Sequence, residues 1–134
     1  RLPLNEVLYL DFPDVDNEHY LGAFDEINAR EIIGFIKNLP LFVTDLYICC
    51  SMGASRSAAV AASVLRMSGR SDRVIWDNSY YKPNALVYSF LCREAHIFAP
   101  HWYIKQLQNI NEMAHQKDSG NKSIYDDERW QIIE

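Results

Sequence analysis

Apolar residues recur at helical spacing over several stretches of this chain. From Phe24 to Leu39 they stand at Phe24, Ile27, Ile32, Phe35, Ile36 and Leu39, the recurrence of one helix face, and Pro40 closes the run. Ser57 to Met67 is rich in alanine and predicts a buried helix, with Gly69 where a C-terminal cap belongs. Asn84 precedes a further apolar helix, Ala85 to Ala95, and is placed to cap it. His101 to Ala114 sets Tyr103, Leu107, Ile110 and Ala114 on one face of another helix. Two shorter runs are β-prone: Val7-Leu8-Tyr9-Leu10, and Phe42 to Cys49, where Asp45 marks a possible true start. The loop Asp11-Phe12-Pro13-Asp14-Val15-Asp16-Asn17 ends the first, since proline and the acids cannot continue a strand. Ser71 to Tyr81 reads as an aromatic loop, Gln116 to Ser123 as a polar linker, and Tyr125 to Glu134 as a short helix or extended arm. Strand–helix alternation predicts an α/β fold with a parallel sheet flanked by helices. Two strands cannot hold a domain together, so more are required.

Composition narrows the class. With 134 residues, 49% apolar and 23% charged, the chain suits one globular domain, expected over residues 1–116, with 117–134 as a C-terminal linker and arm. A formal charge of −5 and the lack of a Lys/Arg-rich stripe argue against a nucleic-acid partner. No apolar run is long enough for a membrane span, and no secretory or lipidation signal is legible. Three cysteines cannot all pair, and the adjacent Cys49 and Cys50 have Cα atoms only about 3.8 Å apart. A disulfide scaffold is therefore not expected, and a reducing, cytoplasmic location is. The four histidines, His19, His96, His101 and His115, show no metal-ligand spacing, and neither metal nor cofactor is expected.

The stretch Cys50-Ser51-Met52-Gly53-Ala54-Ser55-Arg56-Ser57 carries the chemistry. It follows a β-prone run and opens a helix, the layout of an anion cradle lined by backbone N–H groups. Gly53 permits the turn, and Arg56 can grip two phosphate oxygens at once. Amides of Ser51, Met52, Gly53, Ala54, Ser55 and Arg56 would hold the anion above the Cys50 sulfur. That environment should lower the thiol pKa by about two to three units, making thiolate the main species.

This stretch resembles the His-Cys-x5-Arg-Ser/Thr signature of the cysteine-dependent tyrosine and dual-specificity phosphatases, particularly their compact bacterial members. Similarity runs from about Val7 to Glu94. The resemblance implies a sheet of about four to five strands; a segment upstream of Arg1 is the alternative source of the strands not read here. It also implies a metal-independent phosphomonoester hydrolase working through a cysteinyl-phosphate, with a phosphorylated protein or peptide as substrate. Phe12-Pro13-Asp14 resembles the Trp-Pro-Asp of the mobile acid loop, which makes Asp14 the expected general acid. Asp16, in Val15-Asp16-Asn17, matches the acid-bearing Glu-Asp-Asn of many dual-specificity enzymes and is the alternative; Asp11 is a third. Ser57 would aid departure of the thiolate, or else act as an ordinary helix-start hydroxyl. Tyr81-Lys82-Pro83-Asn84 resembles the segment that braces the signature loop, although Asn84 could serve only as a cap and Lys82 as a solvated charge. The aromatic residues of 76 to 88 could wall a substrate pocket or belong to the core. Cys49 stands where the family has histidine and is expected to lie buried behind the loop. That departure leaves open a second class of function, a phosphate-binding module with weak or no turnover. A sulfur transferase or arsenate reductase fits less well, since Cys92 is the only distant candidate for a resolving thiol.

Overall fold

The computed structural model describes residues 7–121, which form five helices: α1 (Glu26–Lys37), α2 (Arg56–Met67), α3 (Arg73–Trp76), α4 (Ala85–Glu94) and α5 (His101–Asn121). Each of the first, second and fourth starts or stops where its sequence supplies the means. Asp25 caps α1 through a reciprocal pair, its carboxylate accepting from the Asn28 amide while Asn28 Oδ1 accepts from the Asp25 amide. Beyond Ser68, α2 closes with a six-to-one bond from the Arg70 amide to the Leu65 carbonyl, and Gly69 takes the required left-handed conformation at φ +78°. The side chain of Asn84 caps α4 by accepting from the Leu86 and Val87 amides.

Helix α4 is the centre of the molecule. Its buried residues Leu86, Val87, Tyr88, Leu91 and Cys92 surround most of its circumference, as befits a helix covered on several sides. It packs against α1, α2 and α5, while α3 bridges α2 and α5. The largest fully buried side chains are Trp76, Tyr88 and Phe24. Trp76 and Tyr88 meet edge to face at 5.2 Å, so these two of the aromatic residues of 76 to 88 belong to the core, while Tyr80 is exposed. Buried Asp72 ties the pair together, accepting from Trp76 Nε1 at 3.0 Å and from the Tyr88 hydroxyl at 2.6 Å. Asn111 of α5 donates to the Trp76 and Tyr81 carbonyls, which fastens the 76–81 loop beneath the long helix.

The α/β expectation is overturned: no strand and no sheet occur among the described residues. Val7–Leu10 and Phe42–Cys49 do have strand character of a kind. Leu8 and Leu10 turn partly inward, Phe12 is buried, and Val7 and Tyr9 face solvent, an alternation of period two. A strand also needs a neighbour's ladder. None of the backbone groups of Val7–Phe12 or Thr44–Cys50 joins a backbone–backbone hydrogen bond among the described residues. Both segments are irregular chain: Leu8 and Leu10 pack against the core, whereas Phe42–Cys49 is largely exposed.

Two smaller expectations change as well. The Ser71–Tyr81 loop contains the short helix α3. The long helix α5 runs to Asn121, through residues whose polarity suggests a linker. The expected arm Tyr125–Glu134 lies outside the described residues.

Candidate active site

Five successive bends, Ser51 to Ser55, carry the chain from the extended segment into α2 and fold it around the Cys50 sulfur. Gly53 makes the turn at φ +69°, and a Cβ there would meet nothing within 4 Å. Its requirement is therefore conformational: an L side chain would strain the backbone without clashing. The Gly53 amide donates to Cys50 Sγ at 3.3 Å and the Ser57 amide at 3.4 Å. The Ser57 hydroxyl lies 3.2 Å from the same sulfur, so it serves Cys50 instead of a backbone carbonyl. Burial pushes the Cys50 thiol up, but the Ser57 hydroxyl and the Ser57, Gly53 and Met52 amides outweigh it. The balance lowers the pKa from the ordinary 9.0 to about 7.

Arg56, six residues after Cys50, is the first residue of α2. Its Nη1 donates to the Phe12 carbonyl at 3.0 Å. Nε is buried and has no hydrogen-bond partner among the described residues. The edge of the guanidinium that is not committed to protein is thus the Nε–Nη2 edge, the one suited to a bidentate grip on an oxyanion.

The same carbonyl anchors the acid loop. Phe12 is buried edge-on against Phe24, 4.7 Å between ring centroids, which fixes the start of Phe12-Pro13-Asp14 over the signature loop. Asp14 Oδ1 accepts from Ser55 Oγ at 2.9 Å and from Asn84 Nδ2 at 2.8 Å. Ser55 precedes α2 but makes no side-chain cap; its hydroxyl is spent on Asp14. Asp16 and Asp11 are exposed and have no hydrogen bond to the signature loop. Of the three candidate acids, the loop geometry brings Asp14 to the sulfur's cradle and leaves the other two outside it.

Both readings of Asn84 are realised in one side chain. Its Oδ1 accepts the two amides of α4, and its Nδ2 donates to Asp14 and to the Val15 carbonyl at 3.0 Å. That uses the full bonding capacity of the amide. Its backbone amide donates to the Ser55 carbonyl, and the Lys82 amide donates to the Ala54 carbonyl at 2.8 Å. The segment before α4 therefore clamps the signature loop and the acid loop together. The brace on the signature loop is the one that the resemblance implies for this segment; the tie from Asn84 Nδ2 to Asp14 and Val15 is additional, and its signal is that an asparagine both buried and capping has spare donors that must go somewhere.

Cys49 is exposed, contrary to expectation, because the extended segment that carries it has no neighbour to cover that face. Cys92 is buried in the core, where burial pushes its thiol up to about 11, the opposite of an activated nucleophile. His115 Nε2 lies 2.8 Å from the Tyr81 carbonyl, His19 sits beside Glu18, and neither approaches the bowl. No helix among the described residues is long and apolar enough to cross a membrane. No family model, curated protein or solved structure matches this chain.

Proposed function

We propose that the chain is a cysteine-dependent phosphomonoester hydrolase acting on phosphorylated protein or peptide. The observation that carries the reading is the convergence on Cys50 Sγ of the Gly53 and Ser57 amides and the Ser57 hydroxyl, at the entry to a helix whose first residue, Arg56, has a buried Nε without a hydrogen-bond partner among the described residues. The resemblance of residues 50–57 to the tyrosine and dual-specificity phosphatase signature supports it. In the first step the Cys50 thiolate attacks phosphorus; the S–P bond forms as the ester P–O bond breaks, and Asp14 gives its proton to the departing oxygen. Arg56 and the loop amides hold the equatorial oxygens throughout. In the second step water attacks the cysteinyl-phosphate, Asp14 takes a proton from that water, and the sulfur leaves as thiolate with the Ser57 hydroxyl donating to it. Neither step calls on a metal or cofactor. Both need a reduced sulfur, which suits the three free thiols and a reducing compartment such as the cytoplasm.

A second reading, an anion-binding module without turnover, draws on Cys49. The residue preceding the nucleophile is an exposed thiol that offers the bowl no imidazole. Hydrolysis of p-nitrophenyl phosphate in EDTA separates the two. The proposal expects turnover that vanadate inhibits and that Cys50→Ser abolishes while tungstate binding survives; tungstate binding by a wild type without turnover would establish the second reading.

A further inference from the structure

A cleft of about 650 Å³ lies on the far side of the acid loop from the cradle, between that loop, the outer face of α4 and the start of α5. Its floor is apolar, formed chiefly by Leu86, Ile97 and Ile104, with Phe98 at the rim. Arg93, His101 and Lys105 stand on the helical wall, and Asp16 and Glu18 on the loop wall. Neither Arg93 nor Lys105 has a carboxylate within ion-pair distance among the described residues, and Arg93 is held in place over the Phe90 ring at 5.0 Å. His101 and Lys105 are one helical turn apart and so share a face.

The cleft neighbours the proposed site, from which a single short piece of chain separates it. Asp14 touches Ser55 of the cradle at 2.9 Å, and Asp16, which lines the cleft, is two residues further on. Two extended residues span at most about 7 Å. An extended peptide held by its phosphate in the cradle would enter the cleft within about three or four residues of the phosphorylated one.

We infer that this cleft is a subsite for the flanking residues of a phosphorylated peptide, binding an apolar side chain on its floor and acidic side chains against Arg93 and Lys105. The inference rests on the phosphatase reading and names the substrate class of that same site. The charge asymmetry sets the register. Asp16 and Glu18 repel an acidic residue next to the loop, so the acidic positions lie further along, at the helical wall.

The test compares three substrates on the wild type and on the Arg93→Glu/Lys105→Glu double variant, two exposed positions at which charge reversal leaves the core untouched. The substrates are a phosphotyrosyl peptide flanked by leucine and glutamates, the same peptide with lysines for the glutamates, and p-nitrophenyl phosphate, which has no flank. The double variant should lose about tenfold in kcat/KM on the acidic peptide, equivalent to about 1.4 kcal/mol, and change little on p-nitrophenyl phosphate. It should also narrow or invert the preference over the lysine peptide. Equal effects on the two peptides would overturn the subsite while leaving the phosphatase reading intact. Should the wild type turn over none of the three, the phosphatase reading falls; fluorescence-polarisation binding of the two peptides to the wild type and the double variant then decides the subsite. A tenfold loss confined to the acidic peptide keeps it, and identical affinities dispose of it.

Discussion

Cys50 is poised between two opposed effects, burial that disfavours the thiolate and four donors that favour it. The donors win, and the folded pKa of about 7 lies below the ordinary thiol value of 9.0. The sign of the linkage follows: the thiolate contributes stability that is complete above about pH 9 and is lost as pH falls through about 7. Alkylation of Cys50 by iodoacetamide should therefore rise through a midpoint near pH 7. Replacing Ser57 by alanine removes the hydroxyl that favours the thiolate most and should move that midpoint upward. Exposed Cys49 takes no part in the balance, so Cys49→Ser should leave the profile where it is; a shift there would show that Cys49 touches the cradle. Asp14→Ala should cost about a hundredfold on a phosphotyrosyl peptide and little on p-nitrophenyl phosphate, whose leaving group needs no proton, whereas Asp16→Ala should spare both. Much of this scale was legible from the chain. Cysteine, glycine, arginine and serine at fixed spacing before an alanine-rich run name a bowl because each type has one physical job there. What spacing could not give was the choice between Asp14 and Asp16, which depends on a bond to Ser55 from 41 residues away.

At the scale of elements, α4 and its approach hold the site. Asn84→Ala should cost about 1 kcal/mol for the lost cap alone, and more because Asp14 and Val15 lose a shared donor. Thermal or urea unfolding reads the stability; the separate loss of the acid-loop tie should appear as slower turnover of peptide substrates at temperatures where the variant stays folded. Asp72→Ala strips the Trp76 indole and the Tyr88 hydroxyl of their buried acceptor and should destabilise by about 3 kcal/mol, with little change in the Cys50 alkylation profile. Three of the helices were readable because each carried local punctuation: Asn84 before α4, Gly69 after α2, Pro40 beyond α1. Helical bonds close within about four residues, so local sequence suffices. The two β-prone runs had the right residues and no ladder. Pairing is a long-range fact, and Val7–Leu10 and Phe42–Cys49 show that propensity and alternation alone do not supply it.

For the molecule as a whole, the consequence is an arrangement in which helices carry most of the core, Phe12, Ala23 and Phe24 complete it from outside them, and two unpaired segments lead into the site. The first delivers Phe12 and Asp14, the second delivers Cys50, and α2 and α4 receive them. Their outer faces leave Tyr9, Leu41, Phe42 and Tyr47 in solvent. Truncating these side chains to alanine should change stability by less than about 0.5 kcal/mol each, the range for surface sites, whereas Phe12→Ala should cost about 3 kcal/mol or more and loosen the acid loop with it. Chemical denaturation of the five variants checks that contrast. The central claim is that phosphate passes through the Cys50 sulfur. Acid quench of the protein mixed with a phosphotyrosyl peptide, followed by mass mapping, tests it most directly. The account predicts phosphate on the fragment containing Cys50 and none in Cys50→Ser; turnover that proceeds with no phosphate on Cys50, or with phosphate on another residue, would contradict it.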